Sequence, residues 1–180
     1  MKKIVQKFLI ACLSMAAMQS AYGQYEQLIS ESVRLSGQGR YAQAVETAER
    51  ALKSAEEKLG PDDPVVATAL NNLAEFQQMA AFVSRDQAAL AKAVEISEPL
   101  QKRALAIREK TLGLRHSFTL TSMINLARTY GLQRRYDDAE VLYKRVQSIL
   151  NEIPQRPPVL VDLDRQAAAG LSQIEKARAR

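Results

Sequence analysis

Between residues 158 and 177 the apolar residues Leu160, Leu163, Ala167, Leu171 and Ile174 fall on one stripe, opposite Asp162, Asp164, Gln173 and Glu175. That is the spacing of a helix with one buried face. No run of Val, Ile and Thr at period two suggests a sheet, so strands are not expected. Breakers divide the rest of the chain. Gly37-Gln38-Gly39, Gly60-Pro61-Asp62-Asp63-Pro64 and the prolines 154, 157 and 158 stand between stretches that favour helix. The expected elements are helix pairs near 25–38 and 41–58, 64–82 and 86–112, and 117–132 and 136–152, with a closing helix near 158–177. Gly60 suits the position past a helix end, Asp63 the cap of the next helix, and Pro64 its first turn. Ser84 or Asp86 caps the helix that follows.

The pattern repeats. Glu57-Lys58-Leu59-Gly60 returns as Lys110-Thr111-Leu112-Gly113, Asn71-Asn72-Leu73-Ala74 as Ile124-Asn125-Leu126-Ala127, and Tyr41-x-x-Ala44 as Tyr136-x-x-Ala139. Gly60 to Gly113 is 53 residues and Ala51 to Ala104 is 53, but Ala104 to Val146 is 42. The base period is therefore 42, and one repeat carries 11 extra residues between Ala74 and Ala104. Eleven residues make about three helical turns and nearly preserve the face of a helix. The expectation is a lengthened helix pair, with helix from about Asp86 to Leu112 that Pro99 could bend. Ala44, Ala48, Ala51, Ala74, Ala104, Ala127 and Ala139 read as packing residues that let helices approach closely.

The phrases Ser97–Gly113, Asn125-Leu126-Ala127-Arg128-Thr129-Tyr130 and Tyr136–Arg145 together resemble the tetratricopeptide repeat family, and most nearly its 42-residue, kinesin-light-chain-like form. The resemblance covers roughly Tyr25 to Asn151. It implies an all-α fold: a right-handed superhelix of three antiparallel helix pairs, closed by a capping helix that shields the last repeat from water. There are departures. The family's Gly before the Tyr of the second helix is Gly39 in the first repeat but Arg134 in the third, and its His-Pro appears as Asp63-Pro64 and His116-Ser117.

The N-terminal stretch reads differently. Lys2, Lys3 and Lys7 precede a continuous apolar run from Phe8 to Ala17, and Ala21-Tyr22-Gly23 offers small residues for cleavage before Gln24. This is the layout of a secretory leader. Residues 1–23 are thus expected to be a cleaved signal, 24–153 the repeats, and 154–180 a proline linker with the closing helix. The destination would be periplasmic or secreted. Leu9-Ile10-Ala11-Cys12 is also compatible with a lipoprotein anchored through Cys12, a minority reading because little apolar chain precedes the cut.

Composition narrows the function. Apolar residues make up 47% and aromatic residues 6%, with no Trp. Cleavage would take the formal net charge from +5 to +2 and remove Cys12, the only cysteine. Acids and bases are interspersed, which gives little case for nucleic-acid binding. His116 is the only histidine and sits at a helix start, and no Gly-rich phosphate loop is present. No cofactor, metal, small-molecule substrate or catalytic activity is expected. The pairs Asp62-Asp63 and Asp137-Asp138 read as first-turn acids, and Arg108-Glu109-Lys110 as a solvated face. Met79 and Phe82 are expected to pack beneath the extra residues.

What remains is binding. By the resemblance, the first helices of successive pairs line a concave groove for a protein or peptide partner. Transferred by register, the groove presents Asn71, Asn72, Glu75 and Met79, then Ile124, Asn125, Arg128 and Leu132, with Ile29 and Val33 before them. Ile29, Val33 and Ile124 read equally as core between repeats. A side-chain amide can both donate to and accept from a peptide backbone, which favours Asn72 and Asn125 as binding residues. The alternative function is a structural subunit that helps assemble a larger cell-envelope complex or self-associates through its ends.

Overall fold

The structure, a computed structural model, describes residue 23 and residues 25–179. The expected leader, its cleavage point and Cys12 lie outside the described residues. Among those described, the regular structure is entirely helical: α1 (25–37), α2 (Tyr41–Leu59), α3 (Pro64–Val83), α4 (Gln87–Leu112), α5 (Ser117–Leu132), α6 (Tyr136–Asn151) and α7 (Pro158–Arg178). Each helix boundary lies within one residue of the expected one. No described helix is long and apolar enough to cross a membrane.

The boundaries have local causes. Asp63 accepts a hydrogen bond from the Val65 N–H at 2.9 Å, with Pro64 opening α3. Asp86, rather than Ser84, caps α4, accepting from Ala88 and Ala89 at 2.8 and 3.2 Å. His116 Nδ1 accepts from the Phe118 N–H at 3.2 Å, so the lone histidine caps α5. The turns that open α2, α4 and α6 share one device. Gly39, Arg85 and Arg134 all adopt left-handed backbone, with φ of 74°, 58° and 61°. An arginine therefore holds a conformation that glycine adopts more cheaply.

The extra residues are helical. α3 has 20 residues against 16 in α5, and α4 has 26 against 19 in α2, which together account for the 11-residue offset. Pro99 lies inside α4 without ending it. The lengthened hairpin outruns its neighbours, so Phe82, expected to be covered, is 66% exposed, and Val83 and Ile96 are exposed beside it.

Consecutive helices pack on one another, α3 most extensively on α4, and α7 closes over both α5 and α6. The core is graded along the chain. Toward the N-terminus it is alanine-rich: Ala44 and Ala48 pack with Leu73 and Phe76, and Ala55, Ala67 and Ala104 with Leu70 and Ile107. Toward the C-terminus one large cluster joins Leu120, Met123, Ile124, Tyr143, Val146 and Leu150 to Leu160, Leu163, Ala167 and Ile174 of α7.

Candidate functional site

The candidate surface runs along α1, α3, α5 and α7. A small cleft of about 30 Å³ separates α3 from α5, lined by Glu75, Gln78, Met79, Gln101, Asn125 and Arg128. Gln78 and Arg128 also line a larger cleft of about 380 Å³ against α7, together with Leu132, Tyr143, Gly170 and Ile174. A third, of about 310 Å³, lies between α1 and α3 at Ile29, Ser30, Val65 and Thr68. Four of the sequence-derived residues are thus brought together: Glu75, Met79, Asn125 and Arg128. Glu75 and Arg128 are exposed and have opposite charge, yet neither enters an ion pair among the described residues. Asn72 and Asn125 are half-buried, and neither amide hydrogen-bonds within the described residues. Asn72 stands apart from the small cleft.

Two of the expected groove residues belong to the interior. Ile124 is 1% exposed and part of the C-terminal core cluster. Asn71 is 4% exposed, and its Nδ2 donates to Ser122 Oγ at 2.7 Å, tying α3 to α5. Asn71 and Asn72 are adjacent, and the step of about 100° around the helix turns one amide inward and leaves the other at the edge.

Asn71 belongs to a polar layer that the sequence reading missed. Ser122 Oγ also accepts from Arg108 Nη1 at 2.8 Å, and Arg108 donates further to the Phe118 carbonyl at 2.9 Å and Thr68 Oγ1 at 3.1 Å. Arg108, expected on a solvated face, is 4% exposed and pairs with no carboxylate among the described residues. Its Nε and the Asn71 Oδ1 have no hydrogen-bond partner among the described residues. Burial pulls its pKa down to about 10, so it stays charged at neutral pH. Seven residues along, the layer recurs: Gln78 Nε2 donates to Thr129 Oγ1 at 2.8 Å, and Thr129 donates to Gln101 Oε1 at 2.6 Å. The signal for both layers was a pair of polar residues seven apart in each of three helices.

A charged node locks α4 to the turn after α5. Glu98 accepts from Gln133 at 2.8 Å and pairs with Lys102 at 2.6 Å and Arg135 at 3.0 Å. Burial alone would raise its pKa. The hydrogen bonds from Lys102, Gln133 and Arg135 outweigh that and hold it at about 2. Arg135 also lies over the Tyr130 ring, 4.2 Å from its centroid.

Among solved structures, BtubC (BKLC) from P. vanneervenii shares this fold, with a TM-score of 0.63 at 21% identity over 86% of this chain. The chain spans 63% of the length of that relative. No curated protein matches it. The family model for the tetratricopeptide repeat matches residues 35–81 and 88–152. Those two stretches run from the end of α1 through α3, and from the first turn of α4 through α6. Helix pairs of this kind form protein–protein interaction modules, and the chain belongs to the tetratricopeptide repeat family.

Proposed function

We propose that this protein is exported and binds an extended segment of a protein partner along the face formed by α1, α3, α5 and α7. The observation that carries the reading is the cleft between α3 and α5. There Glu75, Asn125 and Arg128 converge, and their polar groups make no hydrogen bond or ion pair among the described residues. An amide without an internal partner is free to donate to a peptide carbonyl and accept from a peptide N–H. Asn72 and Asn125 occupy equivalent places 53 residues apart, so they can grip a backbone whatever side chains it carries. Glu75 and Arg128, one turn further along, add charge selectivity of opposite sign.

Capture of the partner from the native envelope, followed by titration, tests the reading. Asn72→Ala and Asn125→Ala should each weaken binding by about 1–3 kcal/mol per lost buried pairing, with little change in melting. Unchanged binding, or a double variant that melts, sinks it. Export is tested by intact mass: the mature chain should begin at Gln24 without lipid, and a mass retaining residues 1–23 or a diacylated Cys12 overturns it. The exposed apolar tip of the α3–α4 hairpin favours a second reading, an envelope assembly subunit that self-associates. A well-behaved monomer in sedimentation excludes that reading, and a defined oligomer supports it.

A further inference from the structure

The turns that open α2, α4 and α6, at residues 38–40, 84–86 and 133–135, join consecutive packed helices and so lie along one edge of the molecule. The middle turn stands proud of the other two. α3 is four residues longer than α5, and α4 is seven longer than α2. At 1.5 Å per residue this carries the hairpin tip about 6–10 Å past the neighbouring turns. The tip is apolar and uncovered. Phe82 and Val83 are 66% and 56% exposed, and with Leu90 they line an open hollow of about 520 Å³.

Behind the tip stands a level of cations. By the repeat offsets of 53 and 42 residues, Lys92 of α4 occupies the register of Gly39 and of Arg134, so Arg40, Lys92 and Arg134 are level with one another. All three are exposed, and none pairs with a carboxylate among the described residues; nor does Arg85 at the tip. The acids of this edge are committed. Asp86 accepts from the Ala88 and Ala89 N–H groups, Asp137 pairs with Arg178, and Asp138 with Arg135. Glu95 lies one turn further from the tip than Lys92. Arg85 and Arg134 also hold left-handed backbone, where the first turn has Gly39. Arginine at two such strained positions points to a use for its side chain.

An apolar point with unpaired cations set about 6–10 Å behind it fits the headgroup layer of an anionic bilayer. Interfacial elements bury their apolar side chains about 5–10 Å into that layer, and basic residues near it are attracted by the lipid charge. We propose that this edge docks on a membrane surface rich in anionic lipid. Phe82 and Val83 enter the boundary between headgroups and acyl chains. Arg40, Lys92 and Arg134 meet the phosphates, and Arg85 extends its guanidinium back from the tip to the same level. No described helix is long and apolar enough to cross a bilayer, so the contact lies on the surface. The edge shares no residue with the α3–α5 cleft, so the two readings stand or fall separately.

The chain contains no Trp, which makes Phe82→Trp a unique fluorescent reporter at the tip, whether or not residues 1–23 have been removed. Vesicles of mixed phosphatidylglycerol and phosphatidylcholine should shift its emission to the blue, and brominated acyl chains should quench it. Val159→Trp, at the start of α7 on the opposite edge, should report neither effect. Pure phosphatidylcholine should bind about a hundredfold more weakly, since three cations lose their attraction. Added to Phe82→Trp, Arg40→Gln, Lys92→Gln and Arg134→Gln should each weaken binding to the anionic vesicles about fivefold. These side chains are exposed and unpaired with any described carboxylate, so their loss leaves the fold intact. No blue shift with the anionic vesicles, equal binding to neutral ones, or charge variants that bind like their parent would overturn the proposal. So would a blue shift that grows with protein concentration without lipid, because a second copy would then be what covers the tip.

Discussion

The seam among α3, α4 and α5 and the seam among α5, α6 and α7 do the same job with different chemistry. The first is stitched by hydrogen bonds: Asn71, Ser122, Arg108 and Thr68 in one layer, and Gln78, Thr129 and Gln101 in the next. The second is nearly all apolar, with Leu150, Leu160, Leu163, Ala167 and Ile174 around Tyr143. Apolar burial is non-directional and contributes roughly in proportion to area. Hydrogen-bonded layers add little net stability but penalise any register in which a partner is missing. The first seam is thus built to fix alignment between repeats, and the second to hold the closing helix down.

The largest test strikes the apolar seam. Gly170→Ala forces a Cβ into the Tyr143 ring and should cost about 3 kcal/mol by overpacking, despite the better helix propensity of alanine. Adding Tyr143→Ala should return part of that loss, a non-additivity visible in urea melts. If Gly170→Ala is neutral, α7 is not seated as described.

Next comes the polar seam. Arg108→Ala strands Ser122, Thr68 and the Phe118 carbonyl and should cost about 2 kcal/mol. Arg108→Met strands the same three groups but keeps much of the stem volume, so it should cost about 1 kcal/mol less than Arg108→Ala. Equal losses would mean that the stem contributes nothing by packing and that the lost hydrogen bonds carry the whole effect.

Glu98→Gln probes the lock at the edge of the same seam and should cost about 1 kcal/mol near neutral pH. The sign of the pH effect follows from the lowered folded pKa of about 2 against the ordinary 4.5. The carboxylate contribution is fully present above the unfolded value and is lost as pH falls from about 4.5 toward 2. Wild type and variant should therefore converge in acid, and a gap that stays constant from pH 6 to pH 2 would contradict the assignment. Smallest of all, Arg134→Gly should stabilise by about 0.5–1 kcal/mol, since φ of 61° suits glycine better than arginine. Chemical denaturation resolves it, and destabilisation would show that the arginine side chain matters there.

Most of the helical framework was legible because its signals are local. Gly60, Asp63-Pro64 and Asp86 act within a turn of where they stand, and each did what its position suggested. The offset of 53 against 42 residues likewise fixed the lengthened hairpin. The phase of individual side chains was less legible. Asn71 and Asn72 differ by one residue, and only the approach of Ser122 from α5, 51 residues away, turns Asn71 inward. Arg108 looked solvated because Glu109 and Lys110 flank it, while its burial depends on Phe118 and Thr68 from two other helices. Phe82 is expected beneath the extra residues, but the hairpin outgrows every described element that could cover it. The α5–α7 cleft had no sequence signature, because a glycine within a helix signals nothing until the ring beneath it is seen.

The lengthened α3–α4 hairpin has one more consequence. A solenoid of identical units offers a long ligand several equivalent frames, each displaced by one unit, and the ligand slips among them. Here the degeneracy is broken twice. One hairpin projects past the others like a stop on a ruler, and the equivalent positions 75 and 128 carry opposite charge. A ligand displaced by one unit would exchange an acid for a base and meet the projecting Phe82 in a different place. The irregularity that interrupts the repeat thereby gives the whole array a single origin from which position can be counted.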